Sequence, residues 1–100
     1  MNNLVTLVGR LVSNPTLEKK EEKDISIITM AIPRAYKNKD GIYETDFVPV
    51  VLNGSLAVNS CEYCLKGDVI GVRGRLQIVD EKLVVIAEKV SFLATRKENE

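Results

Sequence analysis

The sequence lacks histidine, and its only cysteines are Cys61 and Cys64. Histidine is the usual general base and the commonest metal ligand, so serine–histidine and cysteine–histidine catalysis are excluded. A zinc site would need two further cysteine or histidine ligands, which the chain does not have. We therefore expect no catalysis of these two types, no metal site and no cofactor.

The two cysteines form a C-x-x-C motif, which raises the alternative of a redox enzyme. A redox pair normally lies at the start of a helix beside a strand, whereas these residues fall in the later turns of a predicted helix. We interpret Cys61 and Cys64 as small, half-buried residues on a helix face.

Long apolar runs are also missing. No segment approaches the roughly 20 apolar residues of a membrane span. The N-terminal residues MNNLVTLVGR lack the basic start and apolar middle of a signal peptide. We therefore expect a cytoplasmic protein without membrane attachment.

The chain carries no net charge, because 14 basic side chains balance 14 acidic ones. This balance argues against indiscriminate binding of polyanions through bulk charge. It leaves open a local basic face, so the distribution of charge matters more than its sum.

The most informative segment runs from Asp46 to Leu76 and has the pattern strand, helix, strand. Its first part is β-branched and aromatic, and Asn53-Gly54 ends that strand. Ser55 is predicted to cap the helix that follows, through its hydroxyl. Gly67 is predicted to lie just after the helix end.

Alternating patterns predict five strands, and the helix falls between the third and the fourth. The predicted strands cover residues 3–13, 24–33, 42–53, 68–76 and 83–93, with a charged loop at 18–24 and a tight turn at 79–82. One hundred residues suffice for a single domain. This order is that of an all-β OB-fold, a small barrel that binds oligonucleotides across its second and third strands. We assign residues 1–95 to the OB-fold domain and 96–100 to a charged tail.

Alternation also predicts which side chains of a strand share a face. In the first strand, Val5, Leu7, Gly9 and Leu11 point one way, and Gly9 suggests a bulge or sharp bend. The other face is apolar too, which favours self-association. In the fifth strand, the same reasoning places Val84, Ile86, Val90 and Phe92 on one side.

The candidate binding residues combine aromatic rings with basic side chains. Residues 34–41, RAYKNKDG, form the segment densest in both, although an ordinary solvated loop would have the same composition. Phe47 is predicted to stand on the face opposite the core residues of its strand, where a ring needs a partner or ligand to cover it. Arg73 and Arg75, two residues apart, leave the sheet on its polar side.

At this point the sequence resembles the bacterial single-stranded DNA-binding protein family. The similar segments are LVTLVGRLVSNPTL, SIITMAIPRAY and TDFVPVVLNGSLAVNSCEYCLKGDVIGVRGRL, which together span residues 3 to about 93. The resemblance implies sequence-tolerant binding of single-stranded DNA without catalysis, in replication, recombination and repair. It also implies a homo-oligomer, a homotetramer in the family, and contacts with other replication proteins.

Carried onto this chain, the family's stacking positions include Tyr36 and Phe47, while two others have lost their aromatics, at Asn53 and near Glu81. Phosphate contacts are expected from the basic residues Arg34, Lys37, Lys39, Arg73, Arg75 and Arg10. The family's long hairpin is cut to VDEK, and its acidic, phenylalanine-ended tip is absent. These departures resemble a short, tail-less paralogue such as primosomal replication protein N, a phage- or plasmid-borne variant, or a chain truncated before a disordered tail. An accessory OB module that acts mainly through protein–protein contacts is the alternative function.

Overall fold

Residues 1–95, which the computed structural model describes, form six strands and one helix. In chain order these are β1 (Val5–Leu11), β2 (Glu18–Lys20), β3 (Lys23–Lys37), β4 (Tyr43–Asn53), α1 (Ser55–Tyr63), β5 (Val69–Val79) and β6 (Lys82–Ala94). The predicted charged tail, 96–100, lies outside the described residues.

The five long strands close into a barrel. The strand order is β1-β5-β6-β4-β3-β2, and β1 also pairs with β3 through Arg10↔Ala31 and Leu11↔Met30. All pairings are antiparallel except β4 with β6, which is parallel at Val50↔Val85 and Val51↔Ile86. The predicted all-β OB-fold is therefore confirmed, with α1 between the third and fourth long strands.

The short strand β2 is an addition to the prediction. The charged segment predicted as a hairpin loop forms a hairpin with β3, and Glu21 and Glu22 turn at its end. Both turn residues have positive φ, as do Asp80 and Glu81 between β5 and β6. Positive φ at both central residues is the geometry of a type I′ two-residue hairpin turn.

The core consists of inward-facing side chains from every long strand. The most deeply buried apolar side chains are Leu11, Met30, Val50, Leu52, Ile70 and Val72. Val5 and Leu7 pack against this cluster and Leu11 belongs to it, so the residues predicted to share one face of the first strand do so, and that face is the inward one. Ala57 and Cys64 join the core from α1 and the residue that follows it.

Gly9 marks the place where β1 crosses β3 to close the barrel. A Cβ atom added to Gly9 would lie 2.7 Å from the carbonyl oxygen of Ala31 and 2.8 Å from Cγ1 of Ile32. Only a residue without a side chain allows the two backbones to approach this closely.

The structure corrects the prediction that Val84, Ile86, Val90 and Phe92 share one side of the last strand. Val85 and Ala87 face the core, followed by Val90, while Ile86 is buried outside the core cluster, beside Val51 of β4. The register between β5 and β6 shifts between Arg73 and Gly74, so one extra residue of β6, Glu88, interrupts the alternation.

The predicted helix ends are also wrong. The N-cap residue is Gly54, and no side chain forms a cap hydrogen bond, so Ser55 is the first helical residue rather than the cap. At the other end α1 stops at Tyr63, and Gly67, with φ of 89°, belongs to the following turn. Among residues 1–95, no helix is long and apolar enough to cross a membrane.

Candidate nucleic-acid interface

The hairpin of β3 and β4 presents one face of mixed apolar, small and basic side chains to the outside of the barrel. Residues that are direct cross-strand neighbours lie on the same face of a sheet. We define the β3–β4 outer face by five such pairs: Lys37↔Tyr43, Pro33↔Thr45, Ala31↔Phe47, Thr29↔Pro49 and Ile27↔Val51. None of these ten residues is acidic.

Phe47 stands near the middle of this face. Phe47 is 64% exposed, as alternation with the half-buried Val48 and the buried Val50 and Leu52 predicts. Because its cross-strand neighbour is the small Ala31, nothing on β3 covers the ring. A bare aromatic ring in this position has one π-face available for a planar ligand.

Arg10 lies in the same cross-strand row as Phe47. It pairs with Ala31, which pairs in turn with Phe47, so Arg10 is two strands away, at about 10 Å by normal strand spacing. Its Nη1 donates a hydrogen bond to the carbonyl oxygen of Gly67 at 2.9 Å. That single bond orients the guanidinium and leaves its charge and most of its donors unused.

An open groove of about 470 Å³ continues the face beyond Phe47. Ile27, Pro49 and Val51 form its floor. The hairpin of β5 and β6 supplies the opposite wall, which consists of aliphatic side chains and the charged Asp80 and Lys82. Sequence reasoning missed these wall residues because it treated the hairpin as a plain turn.

The basic and aromatic loop residues lie at the far end of the hairpin. Lys37 extends over the ring of Tyr43, with Nζ 5.7 Å from the ring centroid. Tyr36 is 66% exposed but belongs to an irregular segment of β3, where the register shifts between Pro33 and Lys37. Lys39 is exposed in the turn, which Asn38 fixes by accepting hydrogen bonds from the N–H groups of Asp40 and Ile42.

Arg34 lies on the opposite face of the hairpin from Phe47. Its Nε and Nη2 donate to the two carboxylate oxygens of Asp46 at 3.1 and 3.0 Å, and Glu44 is 3.8 Å away. The hydrogen bond from Arg34 lowers the pKa of the Asp46 carboxyl below its ordinary value. Asp46 immediately precedes Phe47, so alternation directs this ion pair away from the β3–β4 outer face.

The two arginines of β5 have different surroundings. Arg75 pairs with Ile86, which pairs with Val51, so Arg75 lies on the outer surface next to the groove. Its Nη1 is 3.2 Å from Oε2 of Glu88. Arg73 lies between Thr6 of β1 and Lys89 of β6, and within residues 1–95 neither Arg73 nor Lys89 forms an ion pair.

The structure therefore divides the predicted residues among four places, one of which is the opposite face of the hairpin, where Arg34 lies. Phe47 and Arg10 share a row, Lys37, Lys39 and Tyr36 lie towards the hairpin tip, and Arg73 and Arg75 lie across β6. Tyr43 and Lys89 were missed. Tyr43 was detectable, because residues 43, 45 and 47 alternate onto one face of a single strand.

Cys64 is buried, Cys61 is half-buried, and both are free thiols. Burial raises the pKa of the Cys64 thiol, with the carboxylate of Asp68 adding to the effect. A raised thiol pKa disfavours the thiolate, which is the reactive form. This environment fits the structural interpretation of the C-x-x-C motif.

Comparisons with known proteins agree with this geometry. The model of the "Single-strand binding protein family" matches residues 2–93. The chain is 37% identical to single-stranded DNA-binding protein 1 of Clostridium acetobutylicum, over 96% of this chain and 97% of the relative. It is 40% identical to single-stranded DNA-binding protein B of Bacillus subtilis, over 77% of this chain and 69% of the relative. The single-stranded DNA-binding protein of Bacillus cereus is 39% identical over 96% of this chain and 62% of its own length. An exposed ring on a barrel face whose five cross-strand pairs contain no acidic residue, together with a family match over nearly the whole chain, leads to one conclusion: the chain belongs to the single-strand binding protein family.

Proposed function

We propose that this protein binds single-stranded DNA with little sequence preference and without catalysing a reaction. The observation that carries the proposal is the β3–β4 outer face, which has Phe47 64% exposed and no acidic residue among its five cross-strand pairs. Every unpaired base offers a π-face, so stacking on exposed rings binds strands of any sequence.

The roles proposed for individual residues follow from their places. Phe47 stacks on a base, and Tyr36 provides a second ring near the hairpin tip. Phosphates are held by the basic residues around these rings, namely Arg10, Lys37, Lys39 and, further along the barrel, Arg73. Arg34 and Arg75 contribute less than the sequence suggests, because carboxylates already accept their hydrogen bonds.

The cellular setting is proposed from family membership. We place the protein in the cytoplasm, in replication, recombination or repair, as a homo-oligomer that contacts other replication proteins. Exposed apolar side chains on the outside of the β1 region support self-association, since Leu4 is 68% and Val8 54% exposed. We also propose that residues 1–95 alone form the DNA-binding domain.

An accessory OB module that works mainly through protein–protein contacts is the second candidate. Two observations favour it: the net charge is zero, and Arg34 and Arg75 are both paired with carboxylates. Both features reduce the positive potential available to a polyanion.

Titration with oligo-dT, followed by size-resolved detection, tests the proposal and gives stoichiometry in the same experiment. Wild-type protein should bind oligo-dT at low salt and bind duplex DNA much more weakly. Phe47→Ala should lose roughly fivefold to 150-fold in affinity, from about 1–3 kcal/mol per stacked base.

Phe92→Ala is the matched control, because Phe92 is another half-exposed phenylalanine, at 53%, in a separate depression beside α1. It should bind oligo-dT as the wild type does. Equal binding by wild type and Phe47→Ala would favour the accessory module, as would a wild-type protein that fails to bind oligo-dT.

A further inference from the structure

Tyr43 is a second exposed ring on the β3–β4 outer face. It lies four residues before Phe47 in β4, so both side chains point to the same side of the sheet, about 13 Å apart along the strand. The side chain is 55% exposed. Neither the composition of the loop nor the family's stacking positions singles it out.

The irregularity in β3 brings a cation to this ring. If the pairing Pro33↔Thr45 continued regularly, Ala35 would lie opposite Tyr43. The structure instead pairs Lys37 with Tyr43, because β3 contains two more residues than β4 over this interval. The Lys37 ammonium consequently lies 5.7 Å from the centroid of the Tyr43 ring.

The adjoining turn holds this pair in place. The backbone N–H of Asn38 donates to the carbonyl oxygen of Ile42 at 2.8 Å, and the Asn38 side chain accepts two further backbone hydrogen bonds. These bonds fix the hairpin end directly beyond Lys37 and Tyr43. A ring and a cation preorganised in this way lose little freedom when a ligand binds.

We infer that Tyr43 is a base-stacking platform and that Lys37 holds the phosphate beside it, so the bound strand runs along β4 from Phe47 towards the hairpin tip. This inference rests on the proposed function. Adjacent stacked bases are about 3.4 Å apart, so a separation of about 13 Å requires an extended strand with intervening nucleotides between the two rings.

The Lys37–Tyr43 pair compensates for the aromatic residues that are missing at two of the family's stacking positions. Asn53 and the short hairpin around Glu81 offer no ring at the other end of the face. With Tyr43 included, the rings of this face lie towards the β3–β4 tip, whereas the groove end is lined by aliphatic side chains, Pro49 and the charged Asp80 and Lys82, and has no ring from residues 1–95. The rings available for base stacking therefore lie nearer the β3–β4 tip than the family's stacking positions imply.

Tyr43→Leu tests the inference by removing the ring while keeping an apolar residue in the strand. It should lower affinity for an oligo-dT of about 16 nucleotides roughly fivefold to 150-fold. A thymidine dinucleotide, too short to span the roughly 13 Å between the two rings, should lose much less. Lys37→Met should make the salt slope shallower by about 0.7, the value of one phosphate contact.

Tyr63→Leu is the matched control, because Tyr63 is 71% exposed on α1, outside this face. Wild-type protein labelled with 3-fluorotyrosine provides a readout that needs no destabilising substitution: the ¹⁹F resonance assigned to Tyr43 should shift on adding oligo-dT, and that of Tyr63 should not.

The outcomes separate this inference from the proposed function. If Phe47→Ala loses affinity but Tyr43→Leu binds the long oligomer within about twofold of Tyr63→Leu, the Tyr43 platform is wrong and the DNA-binding function stands. An unmoved Tyr43 resonance at saturation would equally overturn it. If the wild type does not bind oligo-dT, both proposals fail.

Discussion

Asp46 and Phe47 are neighbours in β4, and their side chains point to opposite faces of the hairpin. Phe47 is bare on the outer face, while Asp46 holds Arg34 through two hydrogen bonds on the other. The alternation of a single strand thus separates the ring proposed to bind DNA from the carboxylates that would repel it. At the residue scale, this separation is the main determinant of the candidate interface.

The Asp46–Arg34 pair predicts a specific pH response. The hydrogen bond from Arg34 lowers the pKa of Asp46, so the pair stabilises the fold above the ordinary carboxyl pKa. This contribution is lost as the pH falls through the lowered pKa of the folded state. An NMR titration of side-chain carboxyl carbons should place the Asp46 transition below the ordinary range.

Arg34→Gln should return the Asp46 transition to the ordinary range and remove this part of the acid dependence of stability. Lys37→Gln, which removes a cation that has no hydrogen bond to Asp46, should leave the transition in place. An unchanged Asp46 transition in Arg34→Gln would show that the ion pair does not persist in solution.

At the element scale, regular alternation could be predicted from the sequence and its interruptions could not. The inward set of β1 and the exposure of Phe47 follow from a period of two within one strand. The predicted face of β6 was wrong because the extra residue Glu88, at the register shift opposite Arg73 and Gly74, interrupts the alternation of β6 itself. The placement of Tyr43 opposite Lys37 likewise depends on two extra residues in β3. Such features arise from pairing between distant segments, which local periodicity does not contain.

The ion pairs were unpredictable for the same reason. Arg34 and Asp46 are 12 residues apart, and Arg75 and Glu88 are 13 apart. The sequence identified the cations correctly as exposed and basic but not which of them have carboxylate partners. The sequence therefore predicted a set of residues for the candidate site. It did not predict which of the basic residues form ion pairs and which do not.

Gly74 provides a direct test of the β5–β6 register shift. A Cβ atom at Gly74 would collide with the carbonyl oxygen of Ile86 and lie 2.9 Å from its carbonyl carbon. Gly74→Ala should therefore destabilise the fold by about 1–3 kcal/mol or more, measured as a lower midpoint of urea unfolding.

Gly71→Ala is the matched control in the same strand. The added methyl group would meet Cδ1 of Leu93 at 3.5 Å, an ordinary contact, so this variant should unfold close to the wild-type midpoint. Equal stability of both variants would mean that β6 can move away from Gly74 at little cost.

At the scale of the whole molecule, the balance of free and paired cations sets the salt dependence of binding. If about four phosphates are neutralised per protomer, the slope of log affinity against log salt should be about −3, from about −0.7 per contact on single strands. Arg10, Lys37, Lys39 and Arg73 supply that number without Arg34 or Arg75. A titration of oligo-dT binding over a range of salt concentrations measures the slope.

Glu88→Gln should release Arg75 from its ion pair, raise affinity at low salt and make the slope steeper by about 0.7. Glu62→Gln makes the same change of net charge on α1, away from Arg75, and should leave the slope unchanged. Equal effects of the two variants would attribute the gain to total charge rather than to Arg75.

The alternation of β4 has a further consequence for how the protein meets its ligand. Glu44 and Asp46 lie behind the ring-bearing surface rather than beside it, so a chain with equal numbers of opposite charges still has an uneven field. An approaching polyanion would exert a torque that turns the basic side towards it before contact. A protein with zero net charge can therefore still be guided electrostatically into the correct orientation as it meets single-stranded DNA. The same zero net charge weakens its attraction to anionic surfaces that have no unpaired bases.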